Sequence, residues 1–374
     1  MAAYLDYAAT APLRPVAAQA WIDAVGAAAN PASLHASGRA ASHRLEDARE
    51  RIAALTGAGP QEVVLTSGGT ESDIIAITGL YAVRARPRVL VGAGEHKAVL
   101  DTVRALPGAQ VETVPLDAGG APDVAALQSM LDDDVALVAL MAANNEVGAV
   151  TDLTGVAAAC TGAGVPWHCD AVQWPGTRAL TGLGAPATVA LSGHKVGAPV
   201  GVGVLLVRTP LPVYSHGGEQ EGGIRSGTVN VAGAVAFAAA LGQAQAQLHD
   251  EAARIAALRQ DLRDGILAAV PDAVVNGGPD VLASHLHVTF PGCEGDALLM
   301  LLDAAGVEVS TGSACSAGIP QASHVLLAMG LSPAAARGSV RFTLGWASTP
   351  ADIGTAVAAI GPAVARARRA GVLR

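Results

Sequence analysis

Between about residues 60 and 210 the chain repeats one pattern: a short run rich in β-branched residues, then a helical stretch, with Gly or Pro at many of the boundaries. That alternation is how a doubly wound, mostly parallel α/β sheet reads, with helices packed against it. The candidate strands are Glu62 to Thr66, Arg88 to Gly92, Gln110 to Val114, Val135 to Met141, Val165 to Cys169, Thr188 to Leu191 and Val202 to Val207. Helices are expected near Thr70 to Arg86, His96 to Leu106, Pro122 to Leu131 and Asp152 to Ala163. Two helical patterns come first, Pro15 to Ala29 and Ser37 to Thr56, separated by the turn signal Asn30-Pro31. After the alternating block, Ala232 to Val270 reads as one long helix, with Gly265 a possible interruption and Pro271 its stop. From residue 272 onward, runs at Ala273 to Asn276, His285 to Phe290, Gly306 to Ser310 and Ser339 to Leu344 alternate with helices, as in a smaller α+β domain. The expected division is 14–250 for the large α/β domain, and 1–13 with 251–374 for the small one.

Composition narrows the function classes. The 374 residues are 51% hydrophobic and 15% charged, far from the composition of disordered chains. A net charge of −9, with no stretch rich in Lys or Arg, gives no field to hold a polyphosphate backbone, so nucleic acid is excluded as a direct ligand. No apolar stretch approaches the roughly 20 residues of a membrane span. The start, MAAYLDYAAT, has neither the basic beginning nor the apolar core of a secretion signal, so the expected location is cytoplasmic. Cys160, Cys169, Cys293 and Cys315 are far apart with no CxxC pair, so any one that matters acts as a single thiol. Cys160 and Cys169 lie in apolar patterns and read as structural; Cys293, in the turn Pro291-Gly292-Cys293-Glu294, reads as exposed and not catalytic. His216, His285, His287 and His324 match no metal spacing, and no metal is assigned.

In open α/β sheets the ligand sits beyond the carboxyl ends of the strands. Three segments there carry chemistry. Thr66 to Asp73, TSGGTESD, follows an apolar strand and opens a helix; Gly68 and Gly69 allow close backbone approach, and Thr70 adds a hydroxyl to the free N–H groups of the helix start. That is a phosphate seat, although a glycine turn capped by Thr70 would read the same way. Trp167-His168-Cys169-Asp170 ends a strand on a carboxylate, followed by Gln173. Ser192-Gly193-His194-Lys195 ends the next strand before the glycine-rich Gly197 to Gly203, where desolvation would lower the lysine's pKa and make its amine a usable nucleophile. An anion seat, an acid and a lysine together suit pyridoxal phosphate. That cofactor needs a helix N-terminus for its phosphate, a carboxylate for its ring nitrogen and a lysine to bind its aldehyde.

The chain also resembles the NifS/IscS-like cysteine desulfurases, within the class V aminotransferase branch of fold-type I pyridoxal phosphate enzymes. The ordered matches are YLDYAATAP at Tyr4 to Pro12, NPASLHASG at Asn30 to Gly38, TSGGTESD, EHKAVLD at Glu95 to Asp101, NNEVG at Asn144 to Gly148, HCDAVQ at His168 to Gln173, SGHK, RSGTVN at Arg225 to Asn230, STGSACSAG at Ser310 to Gly318 and VRFTLG at Val340 to Gly345. The resemblance implies the PLP-dependent transferase fold of type I, with a seven-stranded, mostly parallel sheet in the large domain. It implies that Lys195 holds the cofactor and moves the substrate's α-proton, that Asp170 pairs with the ring nitrogen, and that His96 stacks on the ring and assists proton transfer. Gln173 would meet the ring's phenolic oxygen. Gly69, Thr70, Ser192 and His194 would bind the phosphate, joined by Thr228 from a second subunit, hence a homodimer. Asn145 would bind the cofactor, and Asn145 and Arg341 would contact the cofactor–substrate adduct, with Arg341 gripping the substrate carboxylate. Cys315, among small residues, would take sulfur from L-cysteine as a persulfide, release L-alanine and pass the sulfur to an acceptor or scaffold protein serving iron–sulfur cluster assembly or thiolation.

Some family positions differ. Ile74, the run Val196 to Val200, Glu219, Gly222 and Trp346 replace residues common in the family, and the chain stops at Arg374 without the tail that longer relatives use for docking. None of these removes a reacting group. The alternative activities are selenocysteine lyase, or another class V lyase or aminotransferase; a transaminase would have no use for Cys315. A non-catalytic scaffold would not need Lys195, Asp170, His96, Arg341 and Cys315 together.

Overall fold

The structure is a computed structural model that describes residues 2–26, 29–312 and 322–371. In chain order its strands are β1 (Ala3–Tyr4), β2 (Val63–Thr66), β3 (Arg88–Gly92), β4 (Gln110–Val114), β5 (Val135–Ala139), β6 (Trp167–Asp170), β7 (Thr188–Ser192), β8 (Gly203–Val207), β9 (Val274–Asn276), β10 (His285–Thr289), β11 (Val307–Glu308) and β12 (Ser339–Thr343). The helices are α1 (Pro15–Val25), α2 (Ala36–Thr56), α3 (Gly69–Arg84), α4 (Lys97–Ala105), α5 (Val124–Met130), α6 (Leu153–Ala163), α7 (Val231–Ala246), α8 (Leu248–Ala269), α9 (Gly295–Asp303), α10 (His324–Ala328), α11 (Pro333–Arg337) and α12 (Pro350–Gly371).

Seven strands form the main sheet in the order β2-β8-β7-β6-β5-β3-β4. Only β8 runs against its neighbours, so β2 points the same way as β7 because two antiparallel steps cancel. The sheet is the mostly parallel one expected. Strand β5 is apolar on both faces, as a parallel strand covered by two helical layers must be, and every residue of it is buried. The core on one face joins α1, α2, α6 and α7 to the sheet through residues such as Ile52, Leu140 and Phe237. On the other face Ile77, Leu80, Val99 and Val103 bring α3 and α4 onto β3 and β5.

A second core collects Leu5 and residues from Ile255 to Ala367 around the antiparallel sheet β12-β10-β9. One face of this sheet is apolar and the other polar. Cross-strand pairing sets His287 against Arg341 and His285 against Thr343, and all four are buried. The chain's first residues belong here as well, since β1 pairs with β11 in parallel.

Two expectations need correction. The stretch from Ala232 to Val270 is two helices, α7 and α8, bent by 73° at Gln247. Gly265 does not interrupt α8: a Cβ built there would lie 2.4 Å from Val357 Cγ2, so glycine lets α12 approach closely. Cys293 is buried, because the turn at Gly292 (φ 76°) folds its thiol toward Val364 O of α12 at 3.9 Å. Among the described residues no single helix is long and apolar enough to cross a membrane.

Candidate active site

Five strands deliver their carboxyl ends to one cleft. After β2 the chain turns through Gly68 into α3, whose first residues Gly69 and Thr70 present helix-start N–H groups and the positive end of the helix dipole. The N-cap is Gly68, and Thr70 lies in the first turn. The turn is pressed against β8: a Cβ on Gly203 would stand 2.6 Å from Gly68 Cα. Beyond β7, Ser192 leads into a 3-10 turn, Gly193–Lys195, carrying His194 and Lys195. Beyond β6, Asp170 ends the strand and accepts a hydrogen bond from Val172 N at 2.9 Å, starting the turn that carries Gln173. Beyond β3, His96 caps α4, its Nδ1 accepting from Ala98 N at 3.2 Å. Beyond β5, the Asn144 side chain shapes the turn that holds Asn145.

The second domain closes the cleft with Arg341 on β12. Its Nη1 donates to Asn145 O and its Nη2 to Asp6 Oδ1, each at 2.7 Å, leaving other N–H groups of the five-donor fork for a ligand. The N-terminal segment spans both domains. Lys195 Nζ donates to Ala8 O at 2.6 Å and Ala9 O at 2.9 Å, Gln173 Nε2 donates to Ala8 O at 3.0 Å, and Thr10 Oγ1 lies 3.1 Å from His194 Nδ1. The cleft has a volume of about 370 Å³, and every site residue expected from the sequence lines it except Thr228 and Cys315. Thr228 is exposed on the loop before α7. Cys315 lies outside the described residues.

Desolvation dominates the electrostatics. Burial, with Arg341 adding to it, pushes the Lys195 amine down to about 8, against the opposing pull of Asp170 and Asp6. Burial likewise lowers His96 and takes His194 down to about 4. Asp170 is raised by burial, while the Val172 N–H, His96 and Lys195 favour its charged form.

Beneath it lies a pair that the sequence alone gives no role. Asp73 Oδ1 is 3.1 Å from His168 Nε2, and His168 Nδ1 is 2.9 Å from Thr188 Oγ1. Burial holds Asp73 well above the usual carboxylate range, and burial takes His168 down to about 3. Desolvation thus works against charge on both partners of this hydrogen bond. Glu95 and Glu146 are also buried behind the cleft wall, with Glu95 accepting from Met141 N at 2.6 Å. All three acids sit inside the motifs TSGGTESD, EHKAVLD and NNEVG, and the signal available was the oddity of a carboxylate beside an apolar run.

The family model "Aminotransferase class-V" matches residues 3–355. The IscS-like cysteine desulfurase of Mycobacterium tuberculosis (strain ATCC 25618 / H37Rv) is 48% identical, across 98% of this chain and 98% of its own length. A cysteine desulfurase of Cereibacter sphaeroides is 39% identical, across 98% of this chain and 96% of its own. A solved NifS-like protein superposes with a TM-score of 0.91 at 31% identity, covering 98% of this chain and 100% of that one. The family works with pyridoxal phosphate, acts on cysteine and hands sulfur to acceptors. By its sequence, its sheet order and the groups gathered at its strand ends, the chain belongs to the class V aminotransferases, in the NifS/IscS-like branch of cysteine desulfurases.

Proposed function

We propose that the cleft seats pyridoxal phosphate and L-cysteine, and that the protein releases L-alanine while keeping the sulfur as a persulfide on Cys315. The residues present fit the cofactor. About 370 Å³ lies within the range of small-molecule sites. The start of α3, Ser192 and His194 offer an anion seat, with the dipole of a 16-residue helix behind it. When bound, the cofactor supplies an aldehyde for covalent attachment and a ring that draws electrons from the substrate's α-carbon.

The chain's own groups do the rest. Lys195, lowered to about 8, has an appreciable unprotonated fraction near neutral pH and can bond the aldehyde, then move the proton at the α-carbon. Asp170 would pair with the ring nitrogen, His96 would stack on the ring and assist proton transfer, and Gln173 would hold the phenolic oxygen. Arg341 holds the substrate carboxylate beside Asn145. In the balanced step, the Cys315 thiolate attacks the substrate sulfur, an S–S bond forms as the C–S bond breaks, and the bond's electrons stay with the carbon that becomes the methyl group of alanine.

The reading extends to a homodimer in which Thr228 completes the partner's phosphate site; its exposure, away from its own cleft, supports this. It also includes a sulfur-acceptor or scaffold protein, and the domain division 14–250 against 1–13 with 251–374, supported by the two separate cores.

The observation that carries the proposal is that the lowered Lys195 amine, the buried Asp170 carboxyl and the open start of α3 line the same cleft. The test is to record the visible spectrum, then to measure alanine and sulfide made from L-cysteine by the wild type and by Cys315→Ala. Loss of turnover in the variant is expected. Alanine formation at the wild-type rate by the variant refutes the acceptor role.

A further inference from the structure

The segment from Ala8 to Arg14 is stitched to the turn that carries Lys195. Ala11 N donates to His194 O at 2.9 Å and Arg14 N to Gly197 O at 2.8 Å, while the Ala8 and Ala9 carbonyls accept from the lysine amine itself. Arg14 closes the far end of this seam. Its Nε donates to Val196 O at 3.1 Å, and its Nη1 and Nη2 donate to the carboxylate oxygens of Glu251, in the first turn of α8, at 2.9 and 2.7 Å. The guanidinium carbon lies 5.4 Å from the ring centre of Trp346, just beyond β12, and Trp346 Nε1 donates to Pro12 O at 3.0 Å. Only 3% of Arg14 is exposed.

The chemistry assigned to the cleft leaves this cluster without a part. A buried ion pair is a weak source of stability, because desolvation takes back much of what the attraction gives. A planar fork with fixed donors is well suited, however, to hold several partners at set distances. Its partners here are the residue after Lys195, the start of α8, and a ring carried past the end of the strand that bears Arg341. Gly197, at φ 87°, lets the turn come this close, since a Cβ there would stand 2.8 Å from Arg14 Cγ. A second cavity, of about 50 Å³, is bordered by Arg14, Glu251 and Trp346 and also by Gln173 and Lys195, which line the cleft as well. Such a volume admits a few confined water molecules.

We propose that Arg14 is a positioning residue for Lys195: gripped by Glu251 and Trp346, it fixes the turn Gly193–Gly197 and keeps bulk water from the side of the lysine that borders the second cavity. The role rests on the reading of Lys195 as the amine that bonds pyridoxal phosphate, and its test separates the two. Truncating Arg14 enlarges the cavity and hydrates Lys195, which undoes part of the desolvation that lowers its pKa. The charged and titratable groups that act on the amine stay in place: Arg341 on β12, Asp170 on β6 and Asp6 of the N-terminal segment, with His96 at the start of α4 and the adjacent His194.

Covalent capture of pyridoxal phosphate by the cofactor-stripped full chain, in which amine and aldehyde join with loss of water, is followed by absorbance across pH to give a midpoint and a plateau rate. The wild-type midpoint is about 8. Arg14→Ala raises it by about one unit and lowers the plateau about ten-fold. Trp346→Ala, which changes no charge, moves both in the same directions and provides the answer if Arg14→Ala does not fold; Trp346→Phe keeps an aromatic face over the guanidinium and stays within about three-fold of the wild-type plateau. Arg14→Lys keeps the charge opposite Glu251 without the fork, and follows Arg14→Ala. In the holoenzyme, exchange of the α-hydrogen of L-alanine with heavy water loses about ten-fold in kcat in Arg14→Ala while KM, set at Arg341 and Asn145, stays within about three-fold. An unchanged midpoint in either folded alanine variant, full recovery in Arg14→Lys, or a rise in KM with kcat intact overturns the positioning role. A wild type that forms no borohydride-reducible linkage at Lys195 refutes the reading of the amine itself.

Discussion

A single ammonium group, taken out of water, governs the chemistry at the residue scale. Lys195 titrates at about 8, so below that pH the amine is mostly protonated and cannot attack an aldehyde. Covalent capture of pyridoxal phosphate by the cofactor-free protein is expected to quicken as pH rises and to level off above about 8, followed by absorbance. Lys195→Ala forms no borohydride-reducible linkage; a reducible linkage to another residue refutes the assignment. Asp73 shifts in the opposite sense, since burial raises it and disfavours its charged form. Asp73→Asn therefore costs little stability, whereas Asp73→Ala strands the buried imidazole of His168 and destabilises by about 1–3 kcal/mol, read by urea denaturation. A larger loss in the Asn variant than in the Ala variant would show the carboxyl to be charged.

The sequence discloses some elements fully and others in part, for reasons that particular residues make clear. Strands β3 and β4 lie at their expected bounds, because Pro87 and Gly92 bracket the one and Pro115 closes the other, leaving little freedom. Helix ends shifted by a few residues: α1 stops at Val25 where a helix to Ala29 was expected. The break at Gln247 carries no Gly or Pro signal, since the bend comes from α8 crossing to a different core than α7. Cys293 departs from its expected exposure for a related reason: a Pro-Gly turn announces a bend but not which way the next side chain points. The cleft-lining residues were recoverable because strand ends and glycine turns mark them, whereas the Asp73–His168, Glu146–Ser323 and Asp6–Arg341 partnerships join positions far apart in the chain and show only in three dimensions. Glycines give a test at this scale. A Cβ on Gly203 would meet only backbone, at 2.6 to 2.8 Å, so Gly203→Ala should push the turn before α3 outward, cost about 1–3 kcal/mol and weaken cofactor retention in equilibrium dialysis. In α12 nothing stands within 4 Å of such an atom on Gly354, and Gly354→Ala should stabilise by about 0.5–1 kcal/mol.

On the scale of the whole molecule, buried histidines set the acid limit of the fold. His168, His285 and His287 are each held down to about 3 by burial. Unfolded, each takes a proton below about 6.5, so the unfolded chain binds more protons and stability falls as pH drops from about 6.5 toward 3. The buried acids Asp73 and Glu95 offset part of this, because their raised values let the fold keep protons that the unfolded chain releases above about 4. His287→Asn should lose less stability than wild type between pH 7 and pH 5, measured as the shift in urea midpoint; an equal loss would mean that His287 is not held neutral. The N-terminal segment carries a different constraint. Ala8 N donates to Thr343 Oγ1 across 335 positions of sequence, while the Ala8 carbonyl receives Lys195. Residues far apart in sequence must thus meet before the lysine has its full surroundings. A folding intermediate in which β12 has not docked holds every strand of the large sheet and still lacks a finished pocket, so capture of the vitamin waits on that docking.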